Sequence, residues 1–267
     1  MKSSKSDHMY LEIGGFLLYV DLTQLSEPSV KDSVRLFIRH QYPHNVISLP
    51  DKQIAFTIKV IEQEENPFMV KSELTSRRYY VEMFSLSKDA ASIHYHASAI
   101  HFQWMLKFAL QQLLSDKSGF LLHASAVKTS KNSLYLFLGP NGAGKSTIVS
   151  RLSEGYMPFA DDMVLIRKMG KTWKAFQLPF DRNMDMVDMN PKIIAALFLL
   201  VKRKKLAMKK LRVSLIQVER IIKQVLGGDI TPHHIQSVLA FMNAHAVYTL
   251  EFPRTISASQ FSSEIRL

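Results

Sequence analysis

Cysteine is absent from the 267 residues. That excludes disulfides, thiol catalysis and cysteine-ligated zinc together. Long apolar runs are absent too. The longest, Ile193 to Val201, has nine residues, about half of the roughly 20 that a membrane-crossing helix needs. It reads as a buried strand or a core helix. No N-terminal stretch joins basic residues, a long apolar core and a small-residue cleavage site. The expectation is therefore a cytoplasmic protein with no membrane partner. Acidic residues are missing from one segment: Asn190 to Val218 holds no Asp or Glu.

Basic residues fill that segment. Lys202, Arg203, Lys204, Lys205, Lys209, Lys210 and Arg212 carry much of a formal net charge of +11. A solvated face is the plain reading of such a run. A docking surface for an acidic substrate is the sharper one. No aromatic residue interleaves with the cations, which argues against nucleic acid as a partner.

The chain is long enough to bury a sizeable core. Residues 1–98 read as a β-rich N-terminal region: "YLEIGGFLLYVDL" and "RRYYVEMFSL" hold β-branched and aromatic residues between glycine or polar breaks. From Ala99 to Ser115 the apolar spacing turns helical, with Trp104 and Phe108 on the expected core face and Gly119 as a left-handed cap beyond it. An α/β rhythm follows over 99–267. "FLLHASAV" and "SLYLFLG" read as strands, "KSTIVSRLSE" as a helix and "MPFADDMVLI" as one strand. Met169-Gly170-Lys171 reads as a hairpin turn. Val213 to Leu226 and Pro232 to Ala244 read as helices, and "AVYTLEF" as a closing strand.

One stretch carries chemistry. In "LFLGPNGAGKSTIVSRL" the residues Gly139, Pro140, Asn141, Gly142, Ala143, Gly144, Lys145, Ser146 and Thr147 spell the phosphate-binding loop pattern G-x-x-x-x-G-K-S. Backbone N–H groups must turn inward to cradle phosphate oxygens, and side chains would block that approach. The helix starting near Lys145 aims its unsatisfied N–H groups and dipole at the same anion. Lys145 would reach the β- and γ-phosphates of ATP, and Ser146 would ligate Mg²⁺. The loop sits between a strand and a helix, as the motif requires.

Asp161 and Asp162 lie 16 and 17 residues after Lys145, enough chain for one helix, a turn and the head of the next strand. Neighbouring strand residues face opposite ways. One carboxylate can then face magnesium or its water shell, and the other an incoming hydroxyl whose proton it accepts. His123 lies in the strand before the loop strand, where its imidazole would approach the same phosphate.

"SGFLLHASAV", the glycine-rich loop and "ADDMVLI", in this order and at these distances, resemble the catalytic domain of HPr kinase/phosphorylase and its related kinases. The resemblance runs from Gly119 to Ile166 and returns in "AVYTLEF". It implies a fold like the nucleotide domain of phosphoenolpyruvate carboxykinase, a P-loop within a mixed sheet. It also implies transfer of the γ-phosphoryl group of ATP to a serine hydroxyl, and self-association. On that resemblance Asp161 and Asp162 would supply metal-side charge and the base for the serine. His123 would correspond to the histidine beside the transferred phosphate. Members acting on HPr carry an acidic residue where Thr147 stands, and a glycine-rich signature that "KAFQLPFDRNMDM" lacks. The resemblance thus extends to the chemistry and not to HPr as acceptor. The divergent downstream region is similar to that of kinases encoded with peptide biosynthesis. These imply a peptide or protein with an acceptor serine.

Arg182 is a candidate second cation for the transferring group. His94 and His96 share strand spacing but are too few to hold a metal, and His233-His234 reads as surface. The rivals are an ATPase and a nucleotide-binding regulatory module without an acceptor. An ATP-binding cassette would need an LSGGQ-type signature, and a GTPase an NKxD motif. Neither is in the chain.

Overall fold

Gly14 and Gly15 both adopt positive φ, 61° and 74°, the backbone of a two-residue hairpin turn that matches strand twist. They join β1 (His8–Ile13) to β2 (Phe16–Asp21), with Ile13 opposite Phe16. The computed structural model describes residues 7–48, 50–62, 84–115, 119–180, 188–226 and 231–264. Arg182, Gly227-Gly228 and most of "RRYYVEMF" lie outside the described residues. The chain divides into two compact units, one up to Leu113 and one from Leu114 onwards.

The first unit holds β1, β2, α1 (Pro28–Gln41), β3 (Val46–Ile47), β4 (Ile54–Ile61), β5 (Phe84–Leu86), β6 (Ala90–His94) and α2 (Ala99–Ser115). Its sheet runs β3-β1-β2-β4-β6-β5, with β2, β4 and β6 parallel. A parallel neighbour needs a crossover, and α1 supplies the one from β2 to β4. The β-rich expectation did not contain α1. Its signals are proline in the first turn, Arg39 and His40 in the last, and a narrow buried stripe of Val34 and Ile38. On α2 the buried face is Phe102, Met105, Leu106, Ala109, Leu110 and Leu113. Trp104 and Phe108 were expected on that face. They stand part-exposed with Ile100, one helical turn apart each. Phe102 meets Phe37 edge-on at 5.8 Å, which ties α2 to α1.

The second unit is built on one mixed sheet. Its strands are β7 (Gly119–Leu122), β8 (Ala124–Lys128), β9 (Ser133–Leu138), β10 (Met157–Ala160), β11 (Val164–Met169), β12 (Thr172–Gln177), β13 (Lys192–Lys202), β14 (Ala207–Lys210), β15 (Val225–Leu226) and β16 (Ala246–Phe252). The order is β10-β8-β9-β13-β12-β11-β7-β15, and β16 pairs with β13 and β14. β9, β13 and β16 run parallel. Their apolar runs are continuous because both faces are covered, as parallel strands require. On β9, Leu134, Leu136 and Leu138 pack with Val218, Ile221 and Phe241. These come from α4 (Leu215–Ile222) and α5 (Pro232–Asn243). Tyr135 and Phe137 point the other way, onto Ile148, Leu152 and Phe261. These belong to α3 (Lys145–Leu152) and α6 (Ala258–Glu264). Ile193 to Val201 is thus strand. Among the described residues no helix is long and apolar enough to cross a membrane.

Four expected features differ. Gly119 lies in β7 rather than in a left-handed cap. A Cβ there would come 2.6 Å from the Leu114 side chain and 2.7 Å from the Ile166 carbonyl, so close packing demands the glycine. The helix expected over Val213 to Leu226 stops at Ile222, and Val225–Leu226 instead pairs with β7. "FLLHASAV" and "MPFADDMVLI" are each two strands, broken at His123 and at Asp161 to Met163.

Candidate functional site

Those two breaks face each other. β8 lies against β10 with Ala126 opposite Ala160, and β7 against β11 with Leu122 opposite Val164. The register is the same on both sides, so one antiparallel ribbon bends where His123 and the aspartates stand. Beyond the bend β7 turns to β15, while β8 stays with β9. Exchanging neighbours requires the strands to break, and the break brings polar side chains into an otherwise apolar ribbon. The His123 N–H donates to the Gln224 carbonyl at 2.7 Å. The buried Ser125 hydroxyl donates to the Asp161 carbonyl. The expected strand geometry, with the carboxylates on opposite faces, is replaced by a bend.

The loop lies beside this bend. β9 delivers Gly139, and the chain turns with the Ala143 N–H donating to the Pro140 carbonyl at 3.0 Å. A Cβ on Gly139 would come 2.7 Å from that of Ala143. Gly144 has φ +102°, and a Cβ there would stand 2.9 Å from the Phe252 ring. No side chain caps α3, so its first N–H groups are left to an anion.

Lys145 folds back over the loop. It is 7% exposed, and its ammonium donates to the Gly139 carbonyl at 2.8 Å. Burial pulls its pKa below the ordinary 10.5, while Asp162 and Asp161 pull it back. An ammonium held by neutral carbonyls in low dielectric is poised for an anion.

His123 and Asp162 form a pair, Nε2 to Oδ1 at 3.0 Å, with side chains 19% and 68% exposed. Burial lowers the imidazole pKa below its ordinary 6.5, the Lys145 charge lowers it further, and Asp162 opposes both. At neutral pH the ring is therefore uncharged, with Nε2–H donating to the carboxylate. Titration of His123 followed by NMR is expected to have its midpoint below the ordinary 6.5. Lys145→Met moves it up, and Asp162→Asn moves it further down. A midpoint unmoved by either change would contradict this electrostatic arrangement.

His123, Asn141, Gly142, Gly144, Lys145, Ser146, Thr147, Asp162 and Lys202 line one cavity of about 350 Å³. Gly139, Pro140 and Ala143 shape the loop beneath it. Asp161 is half-buried and outside the lining, though its charge acts on Lys145. The structure thus brings His123, Asp162 and the loop together, with Asp161 one residue behind. Lys202 is the addition. It is the last residue of β13, its Cε 3.4 Å from where a Gly144 Cβ would stand. Sequence reasoning placed it in the basic run, because only the parallel register of β13 with β9 and β16 puts it over the loop. The C-terminal ends of parallel strands are where such sheets bind ligands.

Three features suit a phosphate chain: loop glycines whose backbone no side chain of their own shields, an uncapped helix and a buried ammonium. The site also fits magnesium brought by the nucleotide. Among the described residues no group of three His, Cys, Asp or Glu could hold a metal ion alone. Magnesium typically takes one or two protein oxygens and completes its shell with phosphate and water. His94 and His96 do not share a strand face. His94 ends β6 and His96 lies in the turn beyond, their rings 5.7 Å apart.

No family model matches the chain, and no curated protein matches it. Among solved structures, the Hpr(Ser) kinase/phosphatase from Coxiella burnetii is matched with a TM-score of 0.31 and 14% identity, over 54% of this chain and 91% of that one.

Proposed function

We propose that this chain transfers the γ-phosphoryl group of ATP to a serine hydroxyl of a peptide or protein. The observation that carries the reading is the single cavity in which Lys145, the loop and Lys202 face the His123–Asp162 pair. Cations gather where a triphosphate would lie, and one exposed carboxylate stands across from them. A bound nucleotide's magnesium calls for one acid; here there are two, and Asp162 is the exposed one, paired with His123 on the open side of the cavity.

Transfer of this kind is mostly positioning and charge neutralisation. The loop amides and Lys145 hold the β- and γ-phosphates, and Lys202 meets them from the strand side. Asp162 accepts the serine proton as the serine oxygen bonds to the γ-phosphorus, and the bond from that phosphorus to the bridging oxygen breaks to leave ADP. His123 orients the carboxylate through its Nε2–H. Magnesium, held by Ser146 and the charge of Asp161, would draw electron density from the phosphate oxygens.

Two experiments test this reading. Incubation with γ-labelled ATP, magnesium and a panel of serine peptides is expected to label peptide. Release of phosphate alone, or binding without turnover, would instead mark an ATPase or a regulatory module. Lys202→Ala is expected to weaken ATP binding about 10- to 100-fold, the range of one hydrogen bond to a charged group. Calorimetry checks it, and Lys202→Arg should retain most of the affinity. An unchanged Kd in Lys202→Ala removes that residue from the site.

A further inference from the structure

We propose that the basic corner beyond Lys202 receives an acidic segment of the acceptor, so that the chain selects hydroxyls flanked by Asp or Glu. This rests on the kinase reading above and adds the acceptor's chemistry.

The corner is continuous with the cavity. β13 ends at Lys202 inside it, and the next residue is pinned: the Arg203 N–H donates to the Phe252 carbonyl at 3.0 Å. Phe252 is the residue whose ring crowds Gly144. Lys204 and Lys205 therefore leave from the cavity rim, both exposed. The chain then returns as β14, antiparallel to β16, with Lys209 and Lys210 exposed along it. Among the described residues, the carboxylate that reaches this run is Glu251, 3.9 Å from the Arg203 Nε.

A solvated face does not account for this arrangement. Lysines on a free edge protect it from pairing, which covers Lys209 and Lys210 on β14. It leaves Lys204 and Lys205 unexplained, and soluble surfaces intersperse both signs, whereas Asn190 to Val218 has no acid at all. An acidic protein segment fits better than nucleic acid, because Leu206, Met208 and Leu211 separate the cations and no aromatic residue lies between Lys202 and Arg212 to interleave with them. Lys204 and Lys205 lie two and three positions beyond Lys202, up to ~10 Å at about 3.3 Å per extended residue. The matching acids lie about two or three positions from the acceptor hydroxyl.

The test uses the full chain with ATP and magnesium and two fluorescent peptides. One has glutamate two and three positions on either side of a central serine, and the other has alanine there. The acidic peptide is expected to show about tenfold higher kcat/KM, the sum of a few exposed ion pairs. The advantage falls as salt rises. The double variant Lys204→Glu/Lys205→Glu is expected to lose it while binding ATP as before. Equal turnover of both peptides, or a preference that survives the double variant, overturns the proposal and leaves the kinase reading standing. Fluorescence anisotropy separates the opposite case. If the acidic peptide binds, the double variant releases it, and neither peptide takes label, the docking surface stands and the kinase reading fails. A corner that binds single-stranded RNA or phosphatidylserine vesicles, and not the acidic peptide, also overturns the proposal.

Discussion

Lys145→Met lowers kcat/KM for phosphoryl transfer by about 10³-fold, the loss seen when one charge-stabilising donor is taken from a transition state, or about 4 kcal/mol. The fold is expected to survive intact. Lys145 is 7% exposed, and burial holds its pKa below 10.5 despite two nearby aspartates. Its positive charge is thus less favourable in the folded chain than in the unfolded one. The sign follows: the penalty is fully present at neutral pH and fades as pH rises through the folded pKa towards 10.5. Methionine keeps the length of the side chain and removes the buried charge. Against that, the Gly139 carbonyl loses its donor, a cost of about 1–3 kcal/mol. The two effects offset, so the melting temperature should stay within about 4 °C of the parent or rise. Residues kept at a cost to stability concentrate where function demands them. A fall of about 10 °C or more would make Lys145 a structural residue and sink its assignment.

The second large effect belongs to Asp162. Asp162→Asn is expected to lower kcat about 10²- to 10⁴-fold, the range of a lost general base, while ATP binds as tightly or more tightly. Asparagine keeps an oxygen that accepts from the His123 Nε2–H, so the geometry at the bend is retained. What disappears is the basicity and the negative charge. The charge opposes the triphosphate in the ground state, which is why affinity does not fall. A variant that lost ATP binding and kcat together would place Asp162 among the nucleotide ligands instead. Asp161→Asn should behave differently. Its side chain stands behind the cavity, so the change should appear chiefly as a higher magnesium requirement.

The parts legible in the sequence were contiguous. The loop occupies one short stretch, its glycines are dictated by backbone geometry, and the flanking strand and helix announce themselves by periodicity. The covered faces of β9 and β13 were readable as unbroken apolar runs. The bend was not readable, because a strand breaks at His123 only when its neighbour changes from β15 to β9, and neighbours are set by distant parts of the chain. Within a run such as "FLLHASAV" nothing local marks the exchange. Lys202 was hidden for the same reason: its place over Gly144 depends on parallel register across three strands. Trp104 and Phe108 had helical spacing without being on the buried face, since spacing defines a stripe but not which stripe is covered. The helix α1 is marked locally only by Pro28 in its first turn, Arg39 and His40 in its last, and a buried stripe of two residues, Val34 and Ile38.

The most direct measurement is a crystal structure with magnesium and a non-hydrolysable ATP analogue. The account predicts the terminal phosphate on the loop amides, with Lys145 swung from the Gly139 carbonyl onto it. Asp162 should lie one hydroxyl away, so that an acceptor oxygen placed at ~3 Å from the γ-phosphorus falls ~3 Å from the carboxylate. A terminal phosphate lodged away from the bend, with the Asp162 carboxylate pointing to solvent, would contradict it.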